Sequence, residues 1–432
     1  MLNACLNSNS VSKERSIFTY LVILMPILDQ YMFGPLTYVD LFSVMGIAIL
    51  CWNGRKMQIS SRHCWIVAYI LYTCFITFVT SSMIDSTSVG NICLRMIKFV
   101  LISLNLFFIA PQLFEFEFAF KFYTKVIIVV SSIFFLQYIL YFAFHQYVVF
   151  LLPGLPLNYD GGMVSSDYIE HSIDKVAGGY FFRPRSVFIE PAFYSTYCLP
   201  WLSIAIYKKK QHLMAMIVTL SVILSTSTTG IIVSALLWVY YFILNVDFSC
   251  NKVKTGLFLI VAALLVMTFS DTSNITDSLL MKQKELNNLS QTGSLTLRLF
   301  RGWECFKSID FLHELLGCGY GNLNAYFSEQ GIKTMYDYFN IKLDYMNGLF
   351  LMLCSIGIVG AVLNCCAIFS VIKNFSINLF PLLSVLFLLM SAASVWNAGP
   401  YYLCLILLLS DFDVSNSFYK KCGLSGLNDG AL

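Results

Sequence analysis

Charge is scarce in this chain. Only 12% of its 432 residues are Asp, Glu, Lys or Arg, against 58% hydrophobic, and the mean hydropathy is +0.73. Too little polar side-chain surface is left to coat a soluble globule of this size, so lipid must cover the rest. The net charge is a modest +3, and the basic residues are dispersed among apolar runs. No basic face with interleaved aromatics forms, which argues against a nucleic-acid partner. The 14 cysteines include no CxxC spacing, only the adjacent Cys365-Cys366 pair, so neither a structural zinc site nor a disulfide framework is expected. They read as small buried hydrophobes. A bridge between Cys305 and Cys318, which share one long loop, stays open at this point. The five histidines show no metal-ligand spacing and the long loops hold no DxD, so no metal or other cofactor is expected. Internal repeats, heptad runs and low-complexity tracts are also missing.

What is abundant is the long apolar run. A bilayer core takes about 20 apolar residues per helix, with every backbone group bonded internally. That rule cuts the sequence into twelve expected spans: Ser16–Gly34, Leu36–Trp52, Trp65–Ser81, Ile92–Pro111, Tyr123–Leu152, Val187–Tyr207, His212–Ser225, Thr229–Asn245, Thr255–Ser270, Tyr345–Ile372, Ser376–Ser391 and Ser394–Ser410. Several are short, so ten or eleven is an alternative count. The fold class is therefore all-α, a polytopic membrane helix bundle forming one domain over 1–432. The first run contains Asp29 and Gln30 and lacks a small-residue cleavage site, so it reads as a retained span.

Short cytoplasmic loops collect Lys and Arg. With the N-terminus inside, Lys13, Arg15, Arg55, Lys56, Arg62, Lys121, Lys125, Lys208, Lys209, Lys210, Lys252, Lys254, Lys373, Lys420 and Lys421 all fall on the cytoplasmic side. The short outer turns near Gly34, Asp85, Thr228 and Asn397 carry none. Both termini are then cytoplasmic, and the two long loops, 153–186 and 271–344, face outward. Pro153–Gly179 reads as irregular. Ser294–Ile309 has a helical pattern with Leu299, Trp303 and Phe306 on one stripe, an interfacial helix whose arginines snorkel or bind.

Ionisable residues in spans are expensive and each is a functional hypothesis. Arg95 and Lys98 share a face near the outer start of the fourth span. Arg183-Pro184-Arg185 precedes the sixth, which carries Glu190-Pro191 in its early turns; Asp344 stands at the outer entrance of the tenth, and Asp29 and Asp40 flank the first outer turn. Together with Arg298 and Arg301 these form a candidate cationic cluster with a few carboxylates, suited to an anion at the membrane surface. Arginine fits pyrophosphate because its planar fork donates paired hydrogen bonds and keeps its charge. Snorkelling of Arg95 and Lys98 outward, and pairing of Glu190 with Arg185, are the competing structural readings. Ser225–Gly230 reads first as a helix cap. Gly317-Cys318-Gly319-Tyr320-Gly321 lacks the strand and helix of a nucleotide fingerprint and reads as a tight turn or close backbone approach. His171 and His313 are possible bases in the long loops.

The chain resembles the superfamily of O-antigen polymerases and O-antigen ligases. The resemblance is carried by Arg183–Pro191, Ser225–Gly230, Arg298-Leu299-Phe300-Arg301-Gly302-Trp303, Gly317–Gly321, and Asn347-Gly348-Leu349 leading to Gly357-Ile358-Val359-Gly360, in the family's order. It implies a multi-pass glycosyltransferase of the bacterial inner membrane. Such an enzyme joins undecaprenyl-pyrophosphate-linked oligosaccharides at the periplasmic face, without nucleotide sugar or metal. Its partners would be the lipid-linked donor and acceptor, the bilayer, and a chain-length regulator. Ligases of the superfamily place a His just before the Asn matching Asn347; here Met346 stands there, which favours polymerase over ligase. In that reading Glu190, then Asp344, accepts the acceptor's proton. Arg185, Arg298 and Arg301, with Arg183, Arg95 and Lys98 behind them, steady the leaving pyrophosphate. A flippase for lipid-linked glycan and a non-catalytic scaffold are the rivals.

Overall fold

The computed structural model describes residues 13–33, 36–52, 63–84, 89–144, 146, 148–152, 155–159, 162–164, 175–176, 179–180, 183–244, 301–332, 346–372, 380–392, 396 and 398–421. The architecture is mostly helical, as expected. In chain order come α1 (Lys13–Leu28), α2 (Tyr38–Trp52), α3 (Cys64–Ser82), α4 (Val89–Leu104), α5 (Ala110–Leu113), α6 (Phe116–Phe144), α7 (Pro191–Tyr207), α8 (His212–Leu224) and α9 (Thr228–Leu244). Three short helices follow in the second long loop: α10 (Gly302–Ser308), α11 (Phe311–Leu316) and α12 (Leu323–Glu329). The chain then enters α13 (Gly348–Val371), α14 (Phe380–Ala392) and α15 (Gly399–Lys421).

Four helical stretches are long and apolar enough to cross a membrane: Cys64–Ser82, Ile92–Leu113, Phe116–Tyr141 and Gly348–Val371. Their outward faces carry large apolar residues at helical spacing, such as Leu71, Phe75 and Phe78 on α3. The shorter α9 shows the same stripe in Ile232, Leu236, Val239 and Ile243. Continuous apolar stripes of this kind are what lipid, not water, covers. Among the expected spans, Thr255–Ser270 lies outside the described residues.

Several expectations shift in detail, and for some the reason is visible. The fifth span, expected over Tyr123–Leu152, is a helix over Phe116–Phe144 instead. Residues 148–152 and 155–157 lie outside the helix, and their backbone finds other partners. Leu152 donates to the Tyr31 hydroxyl, Met32 donates to Pro156 O, and Val148 O accepts from Gln137. The sixth span starts at Pro191, four residues later than expected, because the residue before a proline is pushed to extended backbone; Glu190 sits there at φ −132°, ψ 151°. Glu190 therefore stands at the helix head and not within its early turns. The first long loop, expected to be irregular, holds two short antiparallel hairpins, Leu157–Tyr159 with Gly162–Val164 and Lys175–Val176 with Gly179–Tyr180.

The fourth span passes from α4 through a π-turn (Asn105–Ile109) into α5. Pro111 lacks the N–H that Phe107 O would take in an α register, and the wider turn absorbs the mismatch. The Asn105 amide donates to Leu101 O at 2.9 Å and across to Ser43 O at 2.5 Å, tying α4 to α2.

Helix ends sort into two groups. Lys209 pairs with Glu117 at 2.6 Å and Arg15 with Glu115 at 3.9 Å, so the starts of α1 and α6 and the end of α7 share one end of the bundle. At the opposite end the close of α1 meets the head of α7 through Gln30, and the turn after α8 meets the segment before α7 through Arg183. The same grouping follows from the charge reading. The central helix is α7, buried from Tyr194 through Ile206, and it carries Glu190 at its head.

Candidate functional site

The segment Arg183–Glu190 is irregular backbone in a largely buried setting, where unpaired peptide groups are costly. Two glutamines supply the missing partners. The Gln30 amide of the turn after α1 donates to Val187 O and accepts from Ile189 N, both at 2.8 Å. Gln137 of α6 accepts from Arg185 N at 3.1 Å and Ser186 N at 2.7 Å, and donates to Ser186 O at 3.0 Å. Ser186, at φ +57° and fully buried, is fixed further by its hydroxyl on Val130 O at 2.6 Å. The result is a rigid bracket presenting Arg183, Arg185 and Glu190 beside the head of the central helix. Arg183 donates to Thr226 Oγ1 at 2.7 Å and Thr226 O at 3.0 Å, and Arg185 donates to Ile189 O at 2.7 Å. All three side chains remain partly accessible. The serine-threonine turn behaves as the cap expected of it: Ser227 Oγ accepts from Gly230 N at 3.3 Å.

A second group is reached through the first outer turn. Asp29, next to Gln30, accepts from Gly399 N at 2.9 Å at the head of α15. Asp40 accepts from Thr37 N and forms an ion pair with Lys98 at 2.7 Å. Arg95, one turn before Lys98, donates to Asn322 Oδ1 at 2.7 Å. Neither cation simply snorkels outward; each has turned to a protein acceptor.

Asn322 closes the glycine-rich turn, whose geometry confirms close backbone approach. Gly317 and Gly357 lie back to back at φ +89° and +68°. A Cβ on Gly357 would meet Leu315 O at 2.4 Å, and one on Gly317 would meet Ser355 O at 2.5 Å. At Gly357 the helix α13 breaks, and the carbonyls released there are taken by the turn: Cys318 N donates to Cys354 O and Gly319 N to Ser355 O, both at 2.8 Å. From the other side Tyr72 donates to Leu316 O at 2.8 Å, and Thr77 accepts from Tyr320 N at 2.9 Å. The α11–α12 hairpin thus reaches down α13 to Gly357, nine residues or about 13 Å from the helix start.

Arg301 is fully buried, with Cys305 on the same face, while Trp303 is 47% exposed. Gly302 lets α10 pack on Phe350 of α13, and the face it buries carries Arg301 and Cys305. Arg301 does not snorkel, and as it stands it offers no surface to a ligand. Arg298 and Asp344 lie outside the described residues, as does His171. Cys305 and Cys318 are free thiols, each buried, so the bridge left open by the sequence is not formed.

Gln30, Gln137, Thr77 and Asn322 escaped the sequence reading as functional supports. For Gln137 the signal was present, a primary amide in the middle of an apolar run, where an unmatched polar group is expensive. His313, noted only as a possible base, stands 2.5 Å through Nδ1 from Asp310 Oδ1 and 3.2 Å from the Tyr326 hydroxyl. Comparison with protein-family models, curated proteins and solved structures finds no match to this chain.

Proposed function

We propose that this protein is a membrane glycosyltransferase that polymerises undecaprenyl-pyrophosphate-linked oligosaccharide repeats at the periplasmic face of the bacterial inner membrane, through a bundle of about twelve spans. The observation that carries the reading is the glutamine-braced bracket, which holds two guanidinium groups and one carboxylate at the head of the central helix, partly accessible and fixed in place. Preorganised cations favour the charge that grows on a departing pyrophosphate, because they need not reorganise as it forms. Glu190, partly accessible at the head of that helix, is the nearby carboxylate for the acceptor hydroxyl. The resemblance in Arg183–Pro191 supports the superfamily, and Met346 in place of the ligase histidine sets polymerase above ligase.

Deletion followed by chain-length analysis of the surface polysaccharide tests this directly. Loss of a polymerase leaves single repeats on the lipid core, loss of a ligase leaves none, and loss of a flippase traps units inside. In purified protein given lipid-linked repeats, Glu190→Gln should lower turnover about 10²–10⁴-fold. Unchanged polymerisation at equal protein level would end the assignment of Glu190.

A transporter of lipid-linked glycan is the second reading, favoured by the broken helix at Gly357, since broken helices mark many transporter sites. Against it, the carbonyls of Cys354 and Ser355 at that break are taken by the protein's own backbone and are not open to a passenger.

A further inference from the structure

We infer that the exposed face of α11, made by Phe311, Leu312 and Leu315, is a lipid-binding surface covered by the acyl chains of the leaflet at the head of α13. The α11–α12 hairpin is then a re-entrant element of the membrane domain and not a loop in water. The inference does not rest on the glycosyltransferase reading. The three side chains are 76%, 57% and 37% exposed and share one face of the helix. The residues that α12 exposes are polar by contrast: Asn324, Ser328 and Glu329.

Depth says what covers the apolar face. At 1.5 Å per residue α3 is about 28 Å long, close to the roughly 30 Å of bilayer hydrocarbon, so its Ser82 end marks one boundary of the core. Tyr72 donates to Leu316 O about 15 Å below that end, and Thr77 accepts from Tyr320 N about 8 Å below it. The turn that closes α11 therefore lies within one leaflet, whose hydrocarbon is about 15 Å deep. Irregular backbone is tolerated there only where the protein bonds it. Leu316 O and the amides of Gly317, Cys318, Gly319 and Tyr320 all have protein partners.

The boundary of α13 supplies the second argument. Beyond Gly357 this helix exposes a stripe of Ile358, Val362, Cys365 and Phe369. From Gly348 to Gly357 none of its residues is exposed, because the second loop lies against it. Phe350 meets Gly302, Cys354 packs with Cys305 and Cys318, and Gly357 meets Leu315 O. The lipid boundary thus passes from α13 to α11, whose apolar face continues the stripe beside Leu71, Phe75 and Phe78 of α3. The rim is present as well. Trp303 is half exposed with the Lys307 ammonium 4.7 Å over its ring, a pair suited to headgroup level. Asp310 and His313 follow at the start of α11, and helical side chains tilt toward the N-terminus, so Glu314 also reaches back toward the headgroups.

Full-length wild type would be reconstituted in vesicles of phosphatidylethanolamine and phosphatidylglycerol. These would carry a phospholipid with a diazirine either near the carbonyl or at the end of one acyl chain. Photolysis and peptide mass spectrometry should find adducts at Phe311, Leu312 and Leu315 in yields like those at Phe75 and Phe78, and none at Ser328 or Glu329. Leu315 should favour the terminal diazirine more than Phe311 does. In the same vesicles, opened by freeze–thaw, L315C should react with a charged maleimide at less than about one tenth the rate of S328C, because a thiol in hydrocarbon does not ionise. No adducts on α11, with L315C as reactive as S328C, would put water on this face and overturn the inference. No adducts with L315C still protected would put protein there and also overturn it; protection lost on diluting the protein in lipid would identify a second copy. If L315C fails to assemble, photolabelling of the wild type decides alone.

Discussion

Replacing Gly357 by alanine should be among the most damaging single-methyl changes available in this protein. At φ +68°, ψ 179° the residue occupies backbone territory essentially reserved for glycine, and a side chain there costs about 1–3 kcal/mol. The added methyl would also stand 2.4 Å from Leu315 O and 2.5 Å from Gly317 N. Both are backbone atoms, so no rotamer change relieves the clash. The hairpin must withdraw, giving up Cys318 N to Cys354 O and Gly319 N to Ser355 O, each worth about 0.5–1.5 kcal/mol net. The combined destabilisation is about 2–6 kcal/mol. Gly331→Ala isolates the backbone part, since Gly331 has φ +61° but open space around its Cβ, and should cost about 1–2 kcal/mol. Gly90→Ala meets nothing within 4 Å at an ordinary helical φ, and should be neutral or stabilising by up to about 1 kcal/mol. Thermal and denaturant unfolding in detergent gives the ranking, and alkylation of Cys318, fully buried in the wild type, reports withdrawal of the hairpin. Should Gly357→Ala unfold like Gly331→Ala with Cys318 still protected, the back-to-back packing argument is wrong.

Gln137→Leu keeps the size of the side chain but strands the backbone groups of Arg185, Ser186 and Val148. With buried orphans costing about 1–3 kcal/mol each, a loss of at least about 3 kcal/mol is expected, measured by denaturant unfolding. Lys208 lies outside the spans, and burial first, with Lys209 second, lowers its ammonium from 10.5 to about 8 against the opposing pull of Glu117. Between those values the unfolded chain holds the proton more tightly than the folded one. Stability should therefore rise as pH increases from about 8 toward 10.5, and Lys208→Met should remove that slope. Cys305, Cys318 and Cys354 should titrate as free thiols only after denaturation, in oxidising buffer as in reducing buffer; a protected disulfide among them would contradict the described packing.

Apolar run length and scarce charge were enough to point to a mostly helical chain with helices long and apolar enough to cross a membrane, because a bilayer leaves a spanning chain little choice but internally bonded helices. The grouping of helix ends was equally legible, since lysines such as Lys209 and turn residues such as Thr226 alternate along the sequence as the chain turns back on itself. What sequence could not supply was the partner of each buried polar group. Nothing local tells that Gln30 serves Ile189, 159 residues away, or that Asn322 takes Arg95 from 227 residues upstream. Nothing in the pattern of α10 tells that packing across Gly302 buries the Arg301 face. Periodicity registers which side chains share a face, but the surface that face meets is fixed only when distant helices close on one another. Hydrogen bonds act over about 3 Å, so pairings between residues far apart in the chain exist only once the tertiary fold has brought them together.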